Sequence, residues 1–251
     1  MTPPNARTKA SEIILELGEF LSGRAVADGF TLQRLKRVAT ESMYADASEA
    51  YAALGMIAAL QWNDAETDSN FLNAIRLDNE YTVHMNYGTS LQLLGRYADA
   101  AEQMRIGFEL APTDLSSLRA AIRINLAAGE IGAAEILCER LARLTPDRES
   151  EEIPLVSKVA QALEVNGFPL ESIKKCHRVA VDLLRERKIW SSSLTSEVDT
   201  DDNIVFFILG LAGDKKDIEA LDEELGARLF ESVADFNPAK YWVGFGEAGQ
   251  P

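Results

Sequence analysis

Apolar residues recur at spacings of three and four through most of the first 187 positions, the period of an amphipathic helix rather than of a strand. In residues 11–23, Ile13, Ile14, Leu17, Phe20 and Leu21 share one side, with Ser11 as a candidate N-cap. Leu32, Leu35 and Val38 give 31–43 the same character, so the two segments predict a helical pair. Residues 150–166 and 169–187 predict another, with Asn166-Gly167 at the turn and Pro169 beside the start of the second helix. Beyond Lys188 the pattern changes. Residues 190–196 favour strands or turns, 197–203 are acidic, and Ile204-Val205-Phe206-Phe207-Ile208-Leu209 is a short β-branched and aromatic run that reads as a buried strand. Asp214 is placed to cap a helix whose Ile218, Leu221, Leu225, Leu229 and Val233 share a face, and 241–245 suggests a last strand. A rival reading continues the helices, with Thr200 as N-cap, Asp201 and Asp202 in the first turn, and Gly213-Asp214 as a hairpin turn. Val205-Phe206-Phe207 is poor helix material and favours the strand.

The middle of the chain repeats itself. Gly95 and Gly129, Ala100 and Ala134, Leu110 and Leu144, and Pro112 and Pro146 are all 34 residues apart. One unit runs 81–114 with Gly88, Leu91, Gly95, Tyr97, Ala100, Met104, Gly107 and Pro112; the next runs 115–148 with Ile122, Gly129, Ala134, Leu141 and Pro146. A degenerate unit at 48–80 keeps Tyr51, Leu54-Gly55, Phe71, Ala74 and Leu77, but Trp62 stands where the turn glycine belongs and the final proline is missing. Small residues at the eighth and twentieth places allow two helices to approach closely, and a glycine at the turn can take the left-handed conformation that ends a helix.

This period and these residue types resemble the tetratricopeptide repeat (TPR) family. The resemblance implies an α-solenoid in which the first helix of each unit lines a peptide-binding groove. Carried over position by position, it points to Met56 and Leu60 in the first unit, Met85, Thr89, Gln92 and Leu93 in the second, and Arg119 and Arg123 in the third. Asn86, at the sixth place of its unit, matches an asparagine that some family members use to clamp a C-terminal carboxylate. The lysine and asparagine expected with it are replaced by Ala52 and Met56, so a chaperone tail is not the implied ligand. The methionines and leucines suit an amphipathic segment, and the two arginines, four apart on one face, suit an acidic one.

Charge narrows the partners. The chain carries 25 Lys+Arg against 40 Asp+Glu, a formal −15, which repels phosphate backbones and argues against nucleic acid. The excess is local: residues 45–80 hold one base against seven acids, and residues 191–251 hold four against thirteen. Two cysteines, Cys138 and Cys176, both in predicted helix interiors, read as small buried hydrophobes in a reducing compartment. The opening residues 1–6 lack the plan of a signal peptide, and no apolar run reaches the length of a membrane span.

Motifs for chemistry are poor. Asp199-x-Asp201-x-Asn203 opens like a calcium loop, but Ile204 and Gly210 occupy the places of the required glycine and glutamate. Cys176-His177 are adjacent, not three or four apart as a helical metal pair needs, and Gly244-x-Gly246-x-x-Gly249 precedes no helix. The expectation is therefore a mostly α chain: an N-terminal helical pair over 1–44, a TPR-like solenoid over 45–187 and a small α+β unit over 188–251, with about five hairpins in all. Functionally it predicts a cytoplasmic, bacterial-type adaptor for a protein or peptide, with no cofactor or metal, no nucleic acid and no membrane. The alternatives are a self-assembling structural protein and an enzyme with a carboxylate site at Asp199, Asp201 and Asp202.

Overall fold

The structure is a computed structural model, described here over residues 9–23, 26–146 and 150–248. The N-terminal segment 1–6, Arg148 and Gly249 lie outside the described residues. The chain divides into two compact units, Met1–Leu94 with Glu102–Ala111, and Gly95–Ala101 with Pro112–Pro251.

The first unit contains α1 (Lys9–Leu21), α2 (Gly29–Ser42), α3 (Ala47–Leu60), α4 (Asp64–Leu77), α5 (Tyr81–Leu93) and most of α6 (Tyr97–Leu110). Helices α2, α3 and α4 start where the sequence supplies a cap. Asp28, Asp46 and Asn63 accept from the backbone N–H of Thr31, Glu49 and Glu66, which relieves donors that the helix cannot satisfy itself. Ser11 is not a cap: it lies inside α1, and its hydroxyl donates to Glu49 of α3 at 2.8 Å. Ala10, Ile13, Leu17 and Leu21 form the buried stripe of α1, at three- and four-residue spacing. The hairpin α3–α4 is closed by Gly55, where an added Cβ would stand 2.6 Å from the ring of Phe71. Phe71 stacks on Tyr87 of α5 with centroids 4.6 Å apart. Trp62 adopts φ +56°, beside +73° for Gly95 and +74° for Gly129. The degenerate repeat thus keeps the left-handed turn without the glycine, at a cost of about 1–2 kcal/mol.

The second unit contains the first turn of α6, then α7 (Leu115–Ala127), α8 (Ile131–Leu144), α9 (Glu152–Asn166), α10 (Leu170–Arg187), β1 (Ser191–Asp199), β2 (Ile204–Leu211), α11 (Lys215–Ser232) and β3 (Tyr241–Glu247). Among the described residues the helices α1 to α10 follow one another before Lys188, with α1 packed on α2, α3 on α4 and α7 on α8, in keeping with the helical chain the periodicity predicts. The C-terminal piece is the strand–strand–helix–strand unit, and the all-helical rival is excluded. Its sheet has the order β1-β2-β3, with β1 antiparallel and β3 parallel to β2. Asp214 caps α11 by accepting from Lys216 N–H at 2.9 Å. Val205, Phe207 and Leu209, with Tyr241 and Val243, are at most 1 % exposed and form one buried face, packed with α9 and α10. Gly167 ends α9 at φ +65°, and the Asn166 amide donates to the carbonyls of Asn203 (2.8 Å) and Lys240 (3.0 Å), which ties the helix end to the sheet.

Candidate interaction surfaces

In the first unit, α5 buries Val83, Tyr87, Gly88 and Leu91 and leaves a row of Met85, Asn86, Thr89 and Gln92 half-buried. Those four positions lie on one side because their spacing follows the helical turn. The Thr89 hydroxyl is spent on the Met85 carbonyl at 3.0 Å. The side-chain amides of Asn86 and Gln92 make no hydrogen bond among the described residues, so each presents donors and an acceptor for a ligand. His84, by contrast, is 4 % exposed and held on both ring nitrogens by Gln103 and Asn79, which makes it part of the packing.

The rest of the predicted first-unit groove is closed. Met56 is 1 % exposed and Leu93 5 %, so neither is offered to a partner; Leu60 remains half-buried. The cause is α1, which packs along α3 and also touches α5, covering the face where Ala52 and Met56 lie.

In the second unit, Arg119 and Arg123 do come together, but on a carboxylate of this chain. Arg119 Nη1 and Arg123 Nη2 each lie 3.1 Å from Glu152, at the start of α9. Ser150 Oγ donates to the same carboxylate at 2.9 Å. Burial pushes the Glu152 carboxyl up, yet its own backbone N–H, Ser150 and Arg123, with the nearby charge of Arg119, hold it below the usual range. The acid these arginines were read as awaiting is Glu152, which pins α7 to α9.

Sequence reasoning passed over a buried polar contact of the second unit. Helix α10 crosses the turns at Gly95 and Gly129: a Cβ on Gly95 would lie 3.1 Å from Val181, and one on Gly129 3.2 Å from both His177 and Lys174. His177 sits at this crossing with 1 % exposure. Its Nδ1 donates to the Ala127 carbonyl at 2.8 Å and its Nε2 accepts from the Tyr241 hydroxyl, joining α7, α10 and β3. Burial pushes the imidazole down to about 4 and the Tyr241 hydroxyl well up, so both stay neutral. Beside it is a pocket of about 210 Å³ lined by the 95–99 turn, Ala127, Ala128, Glu130 and one side of α10. Its bases are partly spent, Arg96 on Asp99 at 2.7 Å and Lys174 on Glu130 at 2.9 Å. A second hollow, of about 490 Å³, lies between α8 and α9 over the small residues Gly132, Ser157 and Ala160. The glycine spacing marks the turns, but no local pattern announces that α10, far along the chain, packs on them.

The acidic loop is a turn device. Asp199 accepts from the backbone N–H of Asp201 (2.9 Å) and Asp202 (3.4 Å) between β1 and β2. Among the described residues no group of three or more His, Cys, Asp or Glu is arranged to hold a metal ion. No helix among them is long and apolar enough to cross a membrane. Cys138 and Cys176 are buried, and burial pushes their thiols up to about 11 and about 12, so both are unreactive small hydrophobes. Comparison with protein-family models, with curated proteins and with solved structures finds no match.

Proposed function

We propose that this chain is an interaction scaffold of TPR type that holds an extended segment of a partner protein along α5. The observation that carries this reading is the row Met85, Asn86, Thr89 and Gln92, with two half-buried side-chain amides that make no hydrogen bond among the described residues. Such amides are costly to leave dry and suit the backbone of an extended peptide, while Met85 supplies an adaptable apolar contact. The family resemblance supports it, since the same positions line the groove in that family. Arg119 and Arg123 contribute less than their sequence suggests, because a partner's acid must displace Glu152.

A photo-crosslinker at Thr89 in the cells that make the protein tests the reading. It should give a discrete adduct with a second protein, and Asn86→Ala/Gln92→Ala should reduce that adduct about tenfold. An adduct pattern unchanged by the double substitution would refute the assignment of this face.

A further inference from the structure

The C-terminal sheet has a second face that the chain leaves partly open. Along β2 the buried Val205, Phe207 and Leu209 alternate with Ile204, Phe206 and Ile208, which remain partly exposed. Pairing sets Phe206 beside Trp242 of β3, and Trp242 is itself only partly covered. The aromatic surface continues outward, because Trp242 meets Phe236 at 5.9 Å and Phe236 meets Phe230 of α11 at 5.0 Å. Phe230 is 62 % exposed.

Charge borders this surface on one side. In the β1–β2 register Glu197 stands opposite Phe206 and Asp199 opposite Ile204, on the same face of the sheet, and both are exposed. Residues paired across antiparallel strands project from the same face, so the apolar stripe and the acidic stripe are neighbours by construction. Glu197 makes no ion pair among the described residues, and Asp201 and Asp202 add two more exposed acids at the adjoining turn. Residues 191–251 hold four bases against thirteen acids, and one of the four, Arg228, is already paired with Glu186 and Glu224.

We propose that this open face docks a basic amphipathic helix of a partner protein. Sheets bury a face by packing a second layer on it, and α9 and α10 already do so on the other side. A helix laid across Phe206, Ile208 and Trp242 supplies that layer, and lysines or arginines along one flank meet Glu197 and Asp199. A second copy of this chain is disfavoured, because it would bring two acidic borders together. The sheet belongs to the second unit and the α5 row to the first, and the two proposals rest on different residues, so either stands without the other.

The test uses the full chain with Trp62→Phe and Trp190→Phe, which leaves Trp242 as the single emitter. A short leucine–lysine amphipathic peptide should bind and shift the Trp242 emission to the blue, while a leucine–glutamate peptide of the same pattern should not. Glu197→Lys/Asp199→Asn, exposed substitutions of which the second keeps the side-chain oxygen that closes the β1–β2 turn, should weaken binding about tenfold, and Ile208→Glu should weaken it by more. Asn86→Ala/Gln92→Ala should leave it unchanged. Binding that ignores both Glu197→Lys/Asp199→Asn and Ile208→Glu, or that leaves Trp242 emission unmoved, would overturn the proposal. So would concentration-dependent dimerisation lost on Ile208→Glu, which would assign the face to self-association.

Discussion

Gly55 offers the sharpest test of how the hairpins are held. A Cβ at this position would lie 2.6 Å from Cδ2 and 2.7 Å from Cε2 of Phe71. Carbon atoms are comfortable at about 3.5–4.0 Å, so the ring must retreat by about 1 Å. It has little room to do so: Phe71 is 0 % exposed and stacks on Tyr87, whose hydroxyl donates to Asp68 at 2.6 Å. Overpacking of this kind costs about 1–3 kcal/mol, while replacing a glycine inside a helix returns about 1 kcal/mol. Because Phe71 cannot easily retreat, the upper half of that cost applies, and after the return Gly55→Ala should destabilise the first unit by about 1–2 kcal/mol. Gly18 is the control, because an added Cβ in α1 meets nothing within 4 Å. Gly18→Ala should stabilise the same unit by about 0.5–1 kcal/mol. Urea unfolding followed by circular dichroism reads both as opposite shifts of one midpoint. If the two substitutions move the midpoint the same way, close α3–α4 approach is not what glycine provides at position 55.

Three further outcomes follow from the second unit. Gly129→Ala should cost about 2–3 kcal/mol in urea unfolding, since it adds a left-handed penalty at φ +74° to contacts of 3.2 Å with His177 and Lys174. His177 stays unprotonated when folded down to about pH 4, whereas the unfolded chain takes up its proton near 6.5. Its contribution is therefore complete above 6.5 and falls as pH drops to about 4, by up to about 1.4 kcal/mol per pH unit. Stability measured against pH should lose that component of slope in His177→Gln, and an unchanged slope would contradict burial as the cause. Finally, Arg119→Ala/Arg123→Ala should destabilise more than Glu152→Ala. The double change strands a carboxylate whose side chain is 8 % exposed, at about 1–3 kcal/mol, whereas the arginines left by Glu152→Ala are 31 % and 66 % exposed and rehydrate. Equal losses in thermal unfolding would show that the charge of Glu152 is not the buried partner.

What could be read in the sequence follows the range of the forces involved. Helix positions, caps and turns are local, so Asp46, Asn63 and Asp214 fall where short-range preference puts them. The place of Trp62 within its unit, the same as that of Gly95 and Gly129 in theirs, even locates the turn where the residue type argues against it. The strand at 204–211 is legible for a similar reason: a short β-branched and aromatic run bounded by turn residues is a property of one segment. Groove exposure is not local. Met56 has the right position for a groove residue and is buried because α1, more than 30 residues earlier, covers it. Arg119 and Arg123 have the right spacing for a carboxylate, and the carboxylate proves to be Glu152. Ser11 looked like a cap because a serine before an apolar stripe has that signature; its hydroxyl finds Glu49 instead.

The turn glycines carry this point furthest. Gly95 and Gly129 were legible as punctuation, residues that let a helix end. The structure gives them a second duty, since their missing side chains are what allow α10 to lie against both turns. At that contact His177 reaches Tyr241, and the sheet is fixed to the helices before it through one buried hydrogen-bonded chain. The C-terminal sheet is therefore built into the second unit, with one face committed to α9 and α10. On its other face Trp242 packs against Phe236 and against Gly226 of α11, while Phe206 and Ile208 stay partly exposed beside it. A surface that needed only solubility has no use for large apolar side chains left open beside a row of acids. A partner that brings apolar and basic groups together accounts for both.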